Sequence, residues 1–155
     1  MHPNEALIER FYAAFGKRNG DAMNACYSPM ATFEDPAFGK LNYRELTAMW
    51  TMLTSNSRDL QVTFSDVAAD EKTGRAHWEA RYTLSSTGRF VHNVIEARFT
   101  FKDGLIVDHV DSFDLSRWMV QALGFTGWVA TWLPPVRARV KQGPRARLAK
   151  YMATH

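Results

Sequence analysis

The sequence predicts an α+β fold, with helices first, long antiparallel strands after them and a closing helix. Three observations carry this. Apolar residues in positions 4–18 recur at helical spacing, residues 60–113 alternate with period two, and the strand–helix alternation of a parallel sheet is absent. With 155 residues, 46% of them hydrophobic, the chain can bury one good core and not two.

The elements follow in order. Residues 4–18 place Leu7, Ile8, Phe11, Tyr12 and Phe15 on one helical face, and Gly16 with Asn19-Gly20 ends that helix. Asp21 is expected to cap a short helix bearing Met23, Cys26 and Tyr27. After Pro29, Ala31 to Asp35 alternates as a strand closed by Pro36, and a helix over 42–55, capped by Asn42, turns Leu46, Met49, Trp50 and Leu53 inward. Strands are then predicted over Leu60–Phe64, Arg75–Leu84, Arg89–Phe101 and Leu105–Phe113, with turns at Ser85–Gly88 and Lys102-Asp103-Gly104. Asp114 or Ser116 caps a last helix that stops at Gly124. A curved sheet wrapped on such helices encloses an apolar cone, a natural small-molecule pocket.

Composition narrows the function classes. Cys26 is the only cysteine, which excludes an internal disulfide and a thiolate metal site and favours a reducing compartment. Met1-His2-Pro3-Asn4-Glu5 lacks the pattern of a signal peptide, so the expected location is cytoplasmic. The net charge of +3 is uneven: seven of the 19 basic residues lie in 115–155, where no acid occurs, leaving 12 against 16 acids before it. The basic balance therefore belongs to the tail, and no nucleic-acid partner is expected. Trp118 to Val136 is uncharged, but Gly124, Gly127 and Pro134-Pro135 interrupt it, so no membrane span is expected. In the tail, Trp128, Trp132 and Leu133 are expected to pack back on the domain, lidding the pocket, while the arginines of a basic helix after Gly143-Pro144 stay solvated.

Period two puts Leu105, Val107, His109, Asp111 and Phe113 on one face of the last strand, two ionisable groups among three apolar ones. His109 is either a buried histidine bonded to backbone or a pocket group, and Asp111 either a pocket carboxylate or a helix-capping or arginine-paired one. Asp35 either ends its strand as a turn former or serves as a base. Strand parity makes Trp78, Asn93 and Ile95 candidate pocket walls, with Phe33 and Trp50 beside them, and turns His77 and His92 outward. No pair has metal-ligand spacing, no nucleophile elbow occurs, and no Gly-rich phosphate loop is present; neither metal nor cofactor is expected.

Three passages carry a family resemblance: Ile8–Phe15, Ala31–Pro36 and Asp103–Asp114. With the element order they resemble the nuclear transport factor 2-like superfamily, in its SnoaL-like and ketosteroid-isomerase-like branches, over residues 4–124. The resemblance implies a cystatin-like α+β barrel: a cone-shaped, strongly curved, mostly antiparallel sheet on three to four helices. It divides the chain into a cone domain, 1–124, and a basic extension, 125–155, packed on it. Asp35 stands where ketosteroid-isomerase-like members keep their proton-shuttling carboxylate, in a matching Glu-Asp-Pro; that isomerase is a reference case of an aspartate base with an oxyanion hole. The rest departs: Phe11 falls at the oxyanion tyrosine, with Tyr12 one place off, and Ala97 at the second acid, with Glu96 one place off. Asp111 resembles the general acid/base of SnoaL-like cyclases. Epoxide-hydrolase-like members need an arginine and a second aspartate where Trp78 and Ala80 stand, while Glu79 and Arg81 occupy the other face.

The resulting expectation is a dimeric pocket protein for a small apolar or polycyclic molecule, performing cofactor-independent proton transfer beside a carbonyl, as an isomerase or polyketide-cyclase-like enzyme. Asp111 or Asp35 would be the base, His109 its partner, and Phe11, Tyr12, Phe33, Trp50, Trp78, Asn93, Ile95 and Phe113 the substrate-contacting wall. The rival is a non-catalytic binding module of the same fold; an epoxide hydrolase ranks third.

Overall fold

The computed structural model describes residues 1–155. Helix α1 (Pro3–Gly16) starts with Pro3 in its first turn, where a missing N–H costs nothing, and buries Leu7, Ile8, Phe11, Tyr12 and Phe15. A short α2 (Gly20–Asn24) follows, capped by Asn19. Strands β1 (Tyr27–Asp35) and β2 (Gly39–Leu41) form a hairpin. Helix α3 (Tyr43–Asn56) opens with a reciprocal capping box between Asn42 and Glu45. Strands β3 (Gln61–Ala69), β4 (Thr73–Thr83), β5 (Phe90–Lys102) and β6 (Leu105–Ser112) form a meander, and α4 (Leu115–Leu123), capped by Asp114, closes it.

The six strands make one sheet in the order β2-β1-β6-β5-β4-β3, antiparallel except where β1 runs beside β6. This curved sheet wraps α1 and α3 into a cone. Alternation in β4 and β5 sends Ala76, Trp78, Ala80, Ile95, Ala97 and Phe99 into the core, where Phe11, Phe15 and Trp50 meet them. His77, Glu79, Arg81, His92 and Glu96 stand on the outer face, where both histidines bond Glu79 and His77 also bonds Glu96.

Several expectations are corrected. Asn19, not Asp21, caps α2, and Tyr27 opens β1 instead of extending the helix. Pro29 lies inside β1, tolerated because the pairing with β6 is irregular between Tyr27 and Thr32. β3 runs on to Ala69 through a bulge between Ser65 and Ala68, at which Asp66 takes a positive φ of 55°. In β6, Thr100 faces Asp108 while Phe101 faces Ile106, leaving Val107 as an extra residue. This bulge reverses the parity: Ile106, not Leu105 or Val107, shares the buried side with His109 and Asp111.

The tail differs most. It forms α5 (Phe125–Trp132) and α6 (Pro134–Thr154), the latter continuous through Pro144. Trp128, Trp132 and Leu133 are 53%, 71% and 51% exposed and do not lid the pocket. The basic helix packs instead: Leu148 is buried in the main core, and Arg145 bonds the carbonyls of Phe38 and Lys40.

Candidate functional site

A cavity of about 280 Å³ opens between the sheet's inner face, α3, α4 and α6, and 17 of its 28 lining residues are hydrophobic. That is near the lower end for small-molecule sites, roughly 300–1,000 Å³. Asp35, Trp50, Trp78, Asn93, Ile95, Asp111 and Phe113 all border it. Phe11, Tyr12, Phe33 and His109 do not. They form a fully buried layer behind the wall, so the expected substrate contact of the three aromatics is corrected to support.

That layer contains a chain of hydrogen bonds with a fixed direction. Trp50 Nε1 can only donate, and it donates to the Tyr27 hydroxyl at 2.9 Å. The Tyr27 hydroxyl lies 2.7 Å from His109 Nδ1, and in the tautomer that carries the ring proton on Nε2, Nδ1 accepts the Tyr27 proton. Nε2 donates to Asp111 Oδ1 at 2.8 Å, and Trp78 Nε1 adds a longer bond of 3.3 Å to the same oxygen. Burial pushes the Tyr27 hydroxyl well above its ordinary value and keeps it protonated. Asp111 Oδ2 takes part in no protein hydrogen bond, and Asp111 borders the cavity. Across the sheet Asp111 faces Ala97, whose methyl leaves the carboxylate room, while Glu96 points outward to His77.

The second carboxylate closes the β1 end of the cavity. Asp35 Oδ1 accepts from the backbone N–H groups of Ala37 and Phe38, the turn-forming contact expected of an Asp-Pro. Burial nevertheless raises its pKa to about 7; the Asp111 charge adds to the rise, and the two N–H bonds oppose it. The turn and pocket roles thus coexist in one residue.

Sequence reasoning missed a further polar group. Tyr82 borders the cavity, accepts from Trp118 Nε1 at 2.9 Å and donates its own proton to no protein group. Burial raises its pKa above 10.0, and the Asp35 charge reinforces this. Inward parity with Trp78 and Ala80 was a signal for Tyr82, but nothing local announces its partner on α4. Val140, Pro144 and Arg147 of α6 also border the cavity, a contact no short-range pattern encodes. Tyr12, by contrast, has a fully buried hydroxyl without a partner and stacks on Phe64 at 5.5 Å. No group of three or more His, Cys, Asp or Glu side chains could hold a metal ion.

The fold is a cone-shaped α+β domain that carries two carboxylates and an unspent hydroxyl on an apolar cavity. The sequence pattern of the SnoaL-like domain matches residues 8–109, and the chain belongs to this family of the nuclear transport factor 2-like superfamily. Among solved structures, a nuclear transport factor 2-like protein of unknown function from Burkholderia pseudomallei superposes with a TM-score of 0.70 at 17% identity, covering 80% of this chain and 100% of that one. An LEH-like epoxide hydrolase from M. tuberculosis gives 0.65 at 18% identity, covering 85% and 96%. A putative polyketide cyclase from Xanthomonas campestris gives 0.64 at 16% identity, covering 77% and 96%. These identities establish the fold alone. No curated protein sequence matches significantly.

Proposed function

We propose that the protein is a cofactor-independent proton-transfer enzyme acting beside a carbonyl of a small apolar, ring-containing substrate, as an isomerase or polyketide-cyclase-like catalyst. The observation that carries this reading is the division of labour on Asp111, a residue that borders the cavity: Oδ1 is held by His109 and Trp78, while Oδ2 has no protein partner. A carboxylate fixed by one oxygen and free at the other is a positioned base.

In the proposed step Oδ2 takes a proton from the carbon next to the carbonyl. The C–H electron pair moves to the carbonyl oxygen, giving an enolate. The unspent Tyr82 proton, or that of protonated Asp35, hydrogen-bonds the developing oxyanion. Asp111 then returns the proton to another carbon, completing an isomerisation, or the enolate carbon attacks a second carbonyl, whose C=O electron pair moves to its oxygen and takes up the proton held by Asp111, completing a cyclisation and regenerating the carboxylate. His109, behind Asp111, is a positioning residue in this scheme, and Trp50, Trp78, Ile95, Asn93 and Phe113 form the wall. A homodimer and a cytoplasmic location belong to the same reading. Epoxide hydrolysis is disfavoured because inward Trp78 and Ala80 replace the groups that activate water, while Glu79 and Arg81 pair on the outer face.

The test is deuterium exchange at the carbonyl-flanking carbon of a bicyclic ketone, 2-tetralone, followed by NMR. Wild-type protein should accelerate exchange, and Asp111→Asn should lower the acceleration by roughly 10²–10⁴-fold while keeping the fold. Binding of the ketone without accelerated exchange would leave a non-catalytic binding module.

A further inference from the structure

The tail holds an unusual surface that the cavity does not use. Phe125, Trp128, Trp132 and Leu133 are 77%, 53%, 71% and 51% exposed, on and just after a helix of eight residues. At positions 125, 128 and 132 the rings recur at helical spacing and share one side, and Phe125 stacks on Trp128 with centroids 6.0 Å apart. A soluble chain rarely leaves several large aromatic rings together in water without a partner for them.

The partner's chemistry is indicated by the charge around this stripe. No acid occurs anywhere from Leu115 to His155. Arg139 and Lys141 are exposed on α6, which begins directly after Leu133. At about 1.5 Å of rise per residue, both lie within about 12 Å of Leu133 along the axis. At the other end of the stripe, the Arg89 guanidinium rests against Gly124 and bonds the Gln121 carbonyl. Exposed tryptophans beside unpaired cations match one environment well: the headgroup layer of an anionic bilayer, where rings sit at the acyl boundary and cations meet phosphate and carboxylate groups.

We infer that α5 and the start of α6 form a docking surface for an anionic lipid membrane, on which the domain lies peripherally. No helix is long and apolar enough to cross a membrane, so the contact is interfacial. α6 also borders the cavity through Val140, Pro144 and Arg147, so docking brings one wall of the cavity close to the lipid.

The experiment is co-sedimentation of the full chain with phosphatidylcholine vesicles, with and without phosphatidylserine, alongside tryptophan emission. Wild-type protein should partition onto the phosphatidylserine vesicles, with blue-shifted emission and weakening as salt rises. Trp128→Ser with Trp132→Ser changes only exposed side chains and should reduce partitioning at least tenfold. Arg139→Gln with Lys141→Gln should reduce it by about five-fold per cation. Three results would overturn the inference: no partitioning at low salt, single-stranded DNA binding of equal strength that the tryptophan variant leaves intact, or a wild-type dimer in sedimentation that this variant converts to monomer.

Discussion

Nε2 of His109 donates to Oδ1 of Asp111 across 2.8 Å, and the two residues are neighbours on the inner side of one strand. The bond depends on a residue far away in sequence. Tyr27, by donating to Nδ1, fixes which ring nitrogen holds the proton. The relay therefore converts a core tyrosine into control over the orientation of a cavity carboxylate.

Tyr27→Phe should break this relay at its centre. It would leave Trp50 Nε1 and His109 Nδ1 buried without partners, costing about 1–3 kcal/mol for each orphaned group. Urea unfolding measures the loss. A variant within about 0.5 kcal/mol of wild type, smaller than one ordinary hydrogen bond, would mean that the relay is not held in solution.

Asp35 gives a pH dependence of stability with a definite sign. Its folded pKa, about 7, lies above the ordinary value of 3.8, so between these values the native state binds more protons than the unfolded chain. Its contribution is present in full below the lower value and is lost as pH rises through the upper one. Asp35→Asn cannot ionise, and its amide oxygen can still accept from Ala37 and Phe38. The variant should gain on wild type at alkaline pH, by no more than about 1.4 kcal/mol for each tenfold difference in proton affinity between the folded and unfolded chain. In acid it should lose that advantage. Urea midpoints compared on either side of neutrality provide the measurement; parallel curves would refute it.

The fold was readable because its signals are local and repeated. The apolar face of α1, the Asn42 cap of α3 and the alternation of β4 and β5 each report on a neighbourhood of a few residues. The places of Asp35 and Asp111 beside the cavity were readable for the same reason, together with the family motifs around them. What escaped was set by distant partners. The bulge at Val107 is imposed by the pairing of β6 with β5, and it overrides a clean period-two pattern. The Tyr27 relay joins β1, α3 and β6, and the Tyr82–Trp118 bond joins β4 to α4. The tail misled because apolar residues ordinarily pack inward, whereas α5 turns only Gly127 and Ala130 to the protein and leaves its rings outside.

Gly127 tests that docking of α5. A Cβ there would collide with the Met119 carbonyl and the Val120 nitrogen, backbone atoms that cannot rotate away. Gly127→Ala should push α5 off α4 and destabilise the chain by about 1–3 kcal/mol. Gly143→Ala in α6 meets nothing within 4 Å beyond its chain neighbours, and the gain in helix propensity, up to about 1 kcal/mol, is opposed by crowding against the Pro144 ring, so the change should be close to neutral. Thermal unfolding of the two variants side by side decides: equal midpoints would mean that the α4–α5 contact is absent.

Tyr82 and Asp35 make a joint prediction for the rate. Tyr82 spends its oxygen on Trp118 and keeps its proton for the cavity, so it is the group best placed to meet a developing oxyanion. Tyr82→Phe removes that donor without changing the ring, and kcat should fall about 10²–10³-fold, the usual loss for one such donor, with KM little changed. Protonated Asp35 works in the same direction: it can donate, and it spares Asp111 a second negative charge nearby. Once Asp35 ionises, both advantages disappear, so the rate of 2-tetralone exchange should decline as pH rises through about 7. In Asp35→Asn, which stays neutral at every pH, that descending limb should vanish while the Asp111-dependent rate persists. A limb that survives in Asp35→Asn would assign it to another group, and an unchanged kcat in Tyr82→Phe would leave Asp35 as the sole donor.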